Sequence, residues 1–535
     1  MCGELVDVAE QSVRGSLILF LGDAASTIIL AVGSILIARF LGPEYYGIYS
    51  ITLAVPAIII SLIGLGLDSA VVRFSARYRS EDRPEQLLSL IKSVTAFRLA
   101  LGFIVWLLCF LYSDFLASTL LNRPEAGLYI RLSSFLIIFQ TLFSLLYSLY
   151  VGLDRYDVGA AVKLSMSIVK STSAPLLVVA GLGVFGAVMG HVLGFAVSAM
   201  VGISLLYLGP YRTLKSVIGD GVEGGGSFVR DLKTIISYGL PLYASSLILL
   251  LADQYRLILL AHNASDLEIG NFQAAGTFAS LLVVISAPIS MALFPAFSKL
   301  DPAGEEVRKA FQYSVKYTGM LIVPAALFTI LMSRSLVEIV YGNKYLLAPL
   351  FLSLYTVVYL YSAFGSIVLS SFFNGIGETG INLKATLAYV IPFLPLSIIL
   401  TSMLGVLGLI LSILVSSFLG VVYGVYTAKN KLKAPISLKN SARILIASGV
   451  AAIPILPLAL NPPIPNYLSI LLGGIIYLAV YMTVLPIIKG FQKSDVMTFR
   501  NLFRNYGKLM PVVDLIMKYE LKLIDKVQHG EDEED

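Results

Sequence analysis

The stretch ITLAVPAIIISLIGLGL, Ile51 to Leu67, is apolar on almost every face, whether wound as a helix or laid out as a strand. A helix on the surface of a soluble domain keeps a polar stripe, and a strand of a membrane barrel alternates between lipid and lumen. Neither pattern is present, so this segment is read as a helix solvated by lipid. Similar runs recur from Gly15 nearly to Gly490, each near the roughly 20 residues needed to cross a ~30 Å hydrocarbon layer. The whole chain agrees: 535 residues, 57% hydrophobic and only 13% charged, about half the charge density of an ordinary soluble domain. Mean hydropathy is +0.86. The fold class is an all-α polytopic membrane protein.

Polar punctuation divides the apolar sequence into about fourteen transmembrane helices, near residues 15–39, 47–72, 93–113, 127–152, 158–181, 184–208, 234–261, 269–297, 309–333, 346–374, 380–403, 405–428, 442–460 and 465–488. Lys and Arg concentrate in cytoplasmic loops, and they alternate here. With the N-terminus inside, inner loops carry Arg73, Arg77, Arg79 and Arg83, then Arg155, then Arg212, Lys215 and Arg230, then Lys299 and Arg308, then Lys429, Lys431, Lys433 and Lys439. Outer loops hold little beyond Arg39, Arg123, Arg334 and Lys344. An even count places both termini in the cytoplasm, and the first apolar run is too long for a cleavable signal.

Gly219 to Gly226 is a polar, glycine-rich run between the sixth and seventh spans and reads as a flexible linker. The expected organisation is an N-terminal lobe, 1–209, a cytoplasmic linker, 210–233, a C-terminal lobe, 234–433, a further helix pair, 434–490, and a cytoplasmic tail, 491–535. In that tail Val496, Phe499, Leu502 and Phe503 alternate with Arg500 and Arg504, which suits an amphipathic helix on the inner leaflet, ahead of the acidic end Glu531 to Asp535.

Several chemistries find no support. There is no phosphate-binding loop of the nucleotide-motor type. His191, His262 and His529 show no metal-ligand spacing, and Cys2 and Cys109 do not read as a disulfide. Outer loops are too short to present paired catalytic carboxylates. The expectation is a non-enzymatic protein with no cofactor beyond a proton or sodium gradient. The net charge of +5 is accounted for by topology, not by nucleic acid.

Ionisable residues inside spans are costly and therefore functional candidates. They are Arg98, Arg131, Lys163, Lys170, Arg256, Lys316 and Lys384, against Asp23, Asp68 and Asp253. The competing reading is that long side chains near helix ends extend their charge to the interface, which suits Arg131, Lys163 and Lys384. Lys170 is the sharpest candidate, because at ~1.5 Å per residue it sits about 15 Å into its helix. Lys163 and Lys170 share a face two turns apart. Asp253 and Arg256 stand at i and i+3, which fits either a shared site or a mutual ion pair.

The string ARFLGPEYYGIYS, Ala38 to Ser50, joins the first two spans through a Leu-Gly-Pro-Glu turn followed by Gly-x-Tyr. It resembles the hallmark of the polysaccharide-biosynthesis branch of the MOP flippase superfamily. The second junction, with Asp253, Arg256 and the run Glu268 to Phe272, is similar to the start of that family's second half. The resemblance covers nearly the whole spanning region. It implies two pseudo-symmetric six-helix lobes around a central cavity, an added C-terminal helix pair, and transfer of lipid-linked sugars; the extended tail departs from the pattern.

A phosphate head group crossing bare hydrocarbon costs tens of kcal/mol by the idealised Born estimate, so a wet chamber lined by fixed cations is what such a cargo requires. Basic residues exceed acidic ones in the spans, which favours an anionic cargo over the organic cations of a MATE-type multidrug exporter, the alternative reading; a membrane glycosyltransferase or polymerase is a more distant one. The expected activity is alternating-access export of a polyprenyl phosphate- or pyrophosphate-linked oligosaccharide across the plasma membrane. Head-group contacts are expected from Lys170 and Arg256, then Arg98, Lys316 and Lys163, and ion coupling or cation orientation from Asp23, Asp253 and Asp68. Expected partners are the lipid-linked oligosaccharide, membrane lipids and glycan-assembly enzymes.

Overall fold

With no water to satisfy peptide groups in hydrocarbon, an apolar segment closes its own hydrogen bonds by winding into a helix, and every regular element among the described residues is helical. The computed structural model describes residues 2–218, 228–302, 304–460, 464–493, 495–496, 514 and 517–524. Among them nine helices are long and apolar enough to cross a membrane, or up to ten if the bent pair Ala348–Phe364 and Leu369–Gly375 is one span. Two of the nine, Leu21–Ile63 and Tyr156–Val217, run to 43 and 62 residues, about two and three times what a bilayer needs. Each is broken by a glycine in a left-handed conformation, Gly42 at φ 77° and Gly181 at φ 92°. Those breaks fall at the expected turns after the first and fifth spans.

The chain divides into two compact units, Met1–Thr277 and Phe278–Asp535. The first contains α1 (Cys2–Ile63), α2 (Leu67–Ser80), α3 (Pro84–Leu111), α4 (Ser113–Leu120), α5 (Gly127–Ser133), α6 (Phe135–Gly152), α7 (Tyr156–Leu177), α8 (Gly183–Leu206), α9 (Arg212–Ile218), α10 (Phe228–Asn263) and the start of α11 (Asp266–Ser298). Leu67, Phe74, Leu90, Val94, Leu145 and Leu149 form one of its cores, between α2, α3 and α6. The two junction motifs meet in this unit. A Cβ on Gly47 would strike the Asp266 carbonyl, and one on Gly270 would strike that of Pro43. Only glycine at both positions lets the two backbones approach so closely. Beside them the Arg123 guanidinium donates to the Asp266 carboxylate at 3.1 and 3.2 Å and to the carbonyls of Ala261 and Ala264 at 3.2 and 3.1 Å.

The second unit contains the rest of α11, then α12 (Glu305–Leu331), α13 (Ser333–Tyr341), α14 (Ala348–Leu360), α15 (Leu369–Gly375), α16 (Thr379–Leu404), α17 (Val406–Asn430), α18 (Leu438–Ala452), α19 (Leu456–Leu460) and α20 (Asn466–Ile487). Val323, Ile444, Ile455, Tyr477 and Tyr481 form a core between α12, α18 and α20. The tail contributes to that core. Phe491, Val496, Met517 and Ile524 are buried in it, so the short helix at 517–524 spends apolar side chains on protein packing. Phe499, Arg500, Leu502, Phe503, Arg504 and the acidic end lie outside the described residues, as does the linker Gly219 to Gly226.

Candidate functional site

In the first unit the intramembrane carboxylates come with resident cations. Asp23 on α1 is 2.8 Å from the Lys163 ammonium on α7 and accepts from the Tyr147 hydroxyl on α6 at 3.2 and 3.3 Å. The same ammonium lies 5.6 Å from the Tyr147 ring centroid, within cation–π range. Asp68 opens α2, where the helix dipole favours a negative charge. It accepts from Arg98 at 2.6 Å and from Ser144 at 2.7 Å. Arg98 is 5% exposed and also donates to the Thr141 carbonyl at 3.1 Å. Ser144 and Tyr147 are one turn apart on α6, so that helix serves both pairs.

Lys170 is different. Two turns beyond Lys163 on α7, it is packed over Gly194 of α8, where a Cβ would lie 2.7 Å from its own Cβ. The absent side chain brings α8 close and sets His191, one turn earlier, beside it. The Lys170 ammonium stands 3.3 Å from His191 Nε2, and His191 Nδ1 stands 3.0 Å from the Tyr49 hydroxyl. Phe195 stacks on the imidazole at 5.7 Å, and Tyr46 stacks on Tyr49 at 6.0 Å. Tyr49 is buried, whereas Lys170 and His191 each keep part of their surface open. Among the described residues no carboxylate lies within ion-pair distance of Lys170.

Of the remaining candidates, all but Lys384 are paired with a carboxylate. Asp253 and Arg256 form an ion pair one turn apart on α10. Lys316 on α12, in the second unit, is 2.5 Å from Asp495 of the tail. Asp495 is fully buried and also accepts from the Tyr317 hydroxyl at 2.9 Å and from the Gln492 amide at 2.7 Å. Arg131 pairs with Asp114 at 2.8 Å, and Lys384 is exposed. Sequence reasoning missed His191, Tyr49 and Asp495. Tyr49 carried a signal, since it is the tyrosine of the Gly-x-Tyr motif after the Gly42 turn. Asp495 carried none, because its partner is 179 residues away.

The long apolar helices, the glycine-broken double spans and the ion pairs within them define a polytopic helical membrane protein. Its fold is that of the MOP transporters. The chain aligns with the lipid II flippase MurJ in its inward closed conformation with a TM-score of 0.70 at 17% identity, over 88% of this chain and 98% of that one. An inward-facing multidrug resistance MATE family transporter of the MOP superfamily aligns with a TM-score of 0.64 at 17% identity, over 76% and 95%. Residues 36–349, more than half of the chain, match the family described as polysaccharide biosynthesis protein, and the chain belongs to that family. The succinoglycan biosynthesis transport protein ExoT of Rhizobium meliloti is 26% identical over 58% of this chain; the match spans 58% of that relative, less than two thirds of its length. An uncharacterized membrane protein of Methanocaldococcus jannaschii is 22% identical over 81% of this chain and 87% of its own.

Proposed function

We propose that this protein is a non-enzymatic flippase that carries a polyprenyl phosphate- or pyrophosphate-linked oligosaccharide from the cytoplasmic to the outer leaflet of the plasma membrane for glycan assembly, with both termini in the cytoplasm. Family membership supports this reading, as does the name of the succinoglycan transporter it resembles. The lobes at 1–209 and 234–433 alternate access to a wet interior. The single observation that carries the cargo assignment is Lys170, an intramembrane ammonium whose neighbour is a neutral base instead of a carboxylate. A charge in that position is stable when an anion joins it. Asp23, Asp68 and Asp253 each sit against a resident cation, so they hold Lys163, Arg98 and Arg256 in place and exchange these partners for a coupling proton or sodium ion only when the ion pairs open. An organic-cation exporter would instead need a carboxylate without such a partner.

The test is flipping of a fluorescent polyprenyl diphosphate-linked sugar in liposomes. Lys170→Ala is expected to lower the rate by at least tenfold while Lys170→Arg retains much of it. Undiminished transfer by a well-folded Lys170→Ala protein removes the site; expulsion of cationic dye in place of lipid transfer removes the function.

A further inference from the structure

We infer that Lys170, His191 and Tyr49 form a phosphoryl-binding site that takes up one proton together with its ligand, the His191 ring becoming the second cation of the site. The inference rests on the flippase reading for its setting and goes beyond it in naming the residue and the proton. The hydrogen bonds fix the starting state. The Lys170 ammonium has only hydrogens to give, so His191 Nε2 accepts at 3.3 Å. The ring is then the neutral tautomer with its proton on Nδ1, which donates to the Tyr49 oxygen at 3.0 Å. The site therefore holds one positive charge.

A terminal phosphoryl group carries between one and two negative charges near pH 7, its last proton leaving at about pH 6. One ammonium leaves part of that charge uncompensated in a low-dielectric interior, where such a residue is expensive. In the free site the neighbouring ammonium keeps the ring neutral; an arriving anion reverses the field at the ring and draws a proton from bulk water onto His191 Nε2. That nitrogen changes from acceptor to donor. Lys170 is released from it, and both cations then point at the phosphoryl oxygens. No bond is made or broken except N–H, and the proton comes from solvent. By linkage, ligand and proton strengthen each other's binding by the same factor.

Among the described residues the surroundings supply no competing counter-charge. On α1 the groups at the ring are Tyr49 and, stacked behind it, Tyr46, while Asp23 is bonded to Lys163 and Tyr147. On α7 they are Lys170 and, two turns away, Lys163. On α6 the titratable neighbour is Tyr147, and α5 carries Arg131, paired with Asp114. On α8 itself the ring's packing partner is the apolar Phe195. The groups in contact with the imidazole are thus one cation and one hydroxyl, which is the arrangement that lets an incoming anion decide its protonation.

The experiment is titration calorimetry of the purified full chain with farnesyl diphosphate at pH 7.5, in buffers of different ionisation heat. The expected result is uptake approaching one proton per ligand beyond that of His191→Gln, which subtracts protons carried by the ligand itself. Affinity should rise as pH is lowered, by at most about tenfold per pH unit, a slope that His191→Gln flattens. Lys170→Ala should abolish binding. Should the glutamine variant fail to fold, the ring-carbon NMR shift of His191 in the parent protein moves to the imidazolium position when ligand is added. Equal proton uptake in parent and His191→Gln, or a ring shift that ligand does not move, overturns the inference. Farnesyl diphosphate that fails to bind a chain which flips lipid overturns the triad and leaves the flippase standing. Proton-linked binding by a chain that flips nothing does the reverse.

Discussion

Replacing Lys316 by Met should release the tail from the helices of the second unit that hold it. Lys316 is 7% exposed and Asp495 is fully buried, so solvent does little to soften the loss of either charge. The variant leaves the Asp495 carboxylate with the Tyr317 hydroxyl and the Gln492 amide, two neutral donors in place of a cation at 2.5 Å. Breaking a buried pair by removing one member costs about 3–5 kcal/mol, which is roughly 150- to 4,000-fold in an opening equilibrium at ~1.4 kcal/mol per decade. The opening is local, because Asp495 stands just after α20 and anchors the segment that leads to helix 517–524. The assay is limited trypsin digestion in detergent, following cleavage after Lys489 and Lys493. Lys316→Met and Asp495→Leu should each accelerate it by two to three orders of magnitude. The double variant, with two apolar side chains facing each other, should return close to the parent rate, since such replacements are often neutral or stabilising. Single variants digested at the parent rate, or a double variant as labile as the sum of both, would refute the reasoning.

Two further outcomes follow from other parts of the chain. Glu520, 2% exposed and with no hydrogen-bond partner on Oε2, is pushed up to about 8 by burial. Its docked helix gains stability from the protonated carboxyl; that gain is complete below about pH 4.5, where the undocked carboxyl is also protonated, and falls by about 1.4 kcal/mol per pH unit until it is gone above pH ~8. Hydrogen exchange at 517–524 should therefore show less protection at pH 9 than at pH 6 once intrinsic rates are corrected, and Glu520→Gln should remove the difference. On α11, Gly270→Ala drives a Cβ into the Pro43 carbonyl and should cost at least the ~1–3 kcal/mol of overpacking. Gly276→Ala, where no atom lies within 4 Å, should be neutral or slightly stabilising; equal melting of the two variants by differential scanning would contradict the close approach.

The parts of the fold that could be read from sequence are those for which lipid leaves no choice. Ile51 to Ile63 is helical, as an apolar run without alternation must be in hydrocarbon, but the chain leaves the helix over Gly64 to Gly66, with positive φ at Leu65 and Gly66, before α2 begins at Leu67; the Leu-Gly-Pro turn announced the break at Gly42. The junctions Gly42 to Ser50 and Ser265 to Gln273 share a pattern, a glycine followed two residues later by an aromatic. In the structure it has a tangible reason, since Gly47 and Gly270 are where the two strings touch. Charges in the spans were equally plain, but their partners were not. Asp253 and Arg256 are one helical turn apart, so local spacing offered the ion pair as one of two readings. Tyr147 lies 124 residues from Asp23, and Asp495 lies 179 from Lys316, distances over which helical periodicity carries no information. His191 was set aside for lack of metal-ligand spacing, a criterion blind to a ring whose partner is an ammonium.

Depth in a span and charge alone carry different information. A cation near a helix end can reach water along its own stem, so its presence says little. One placed as deep as Lys170 has only two ways to persist, a buried counter-charge or a face turned to a polar interior. Sequence reasoning stops at that fork. The structure removes the first branch for Lys170 by placing an imidazole where Arg98, Lys163, Arg256 and Lys316 each have a carboxylate. Arg98 and Lys163 are spent on pairs between helices, Arg256 on a pair within α10 and Lys316 on the tail, whereas Lys170, among these five described cations, has no carboxylate partner.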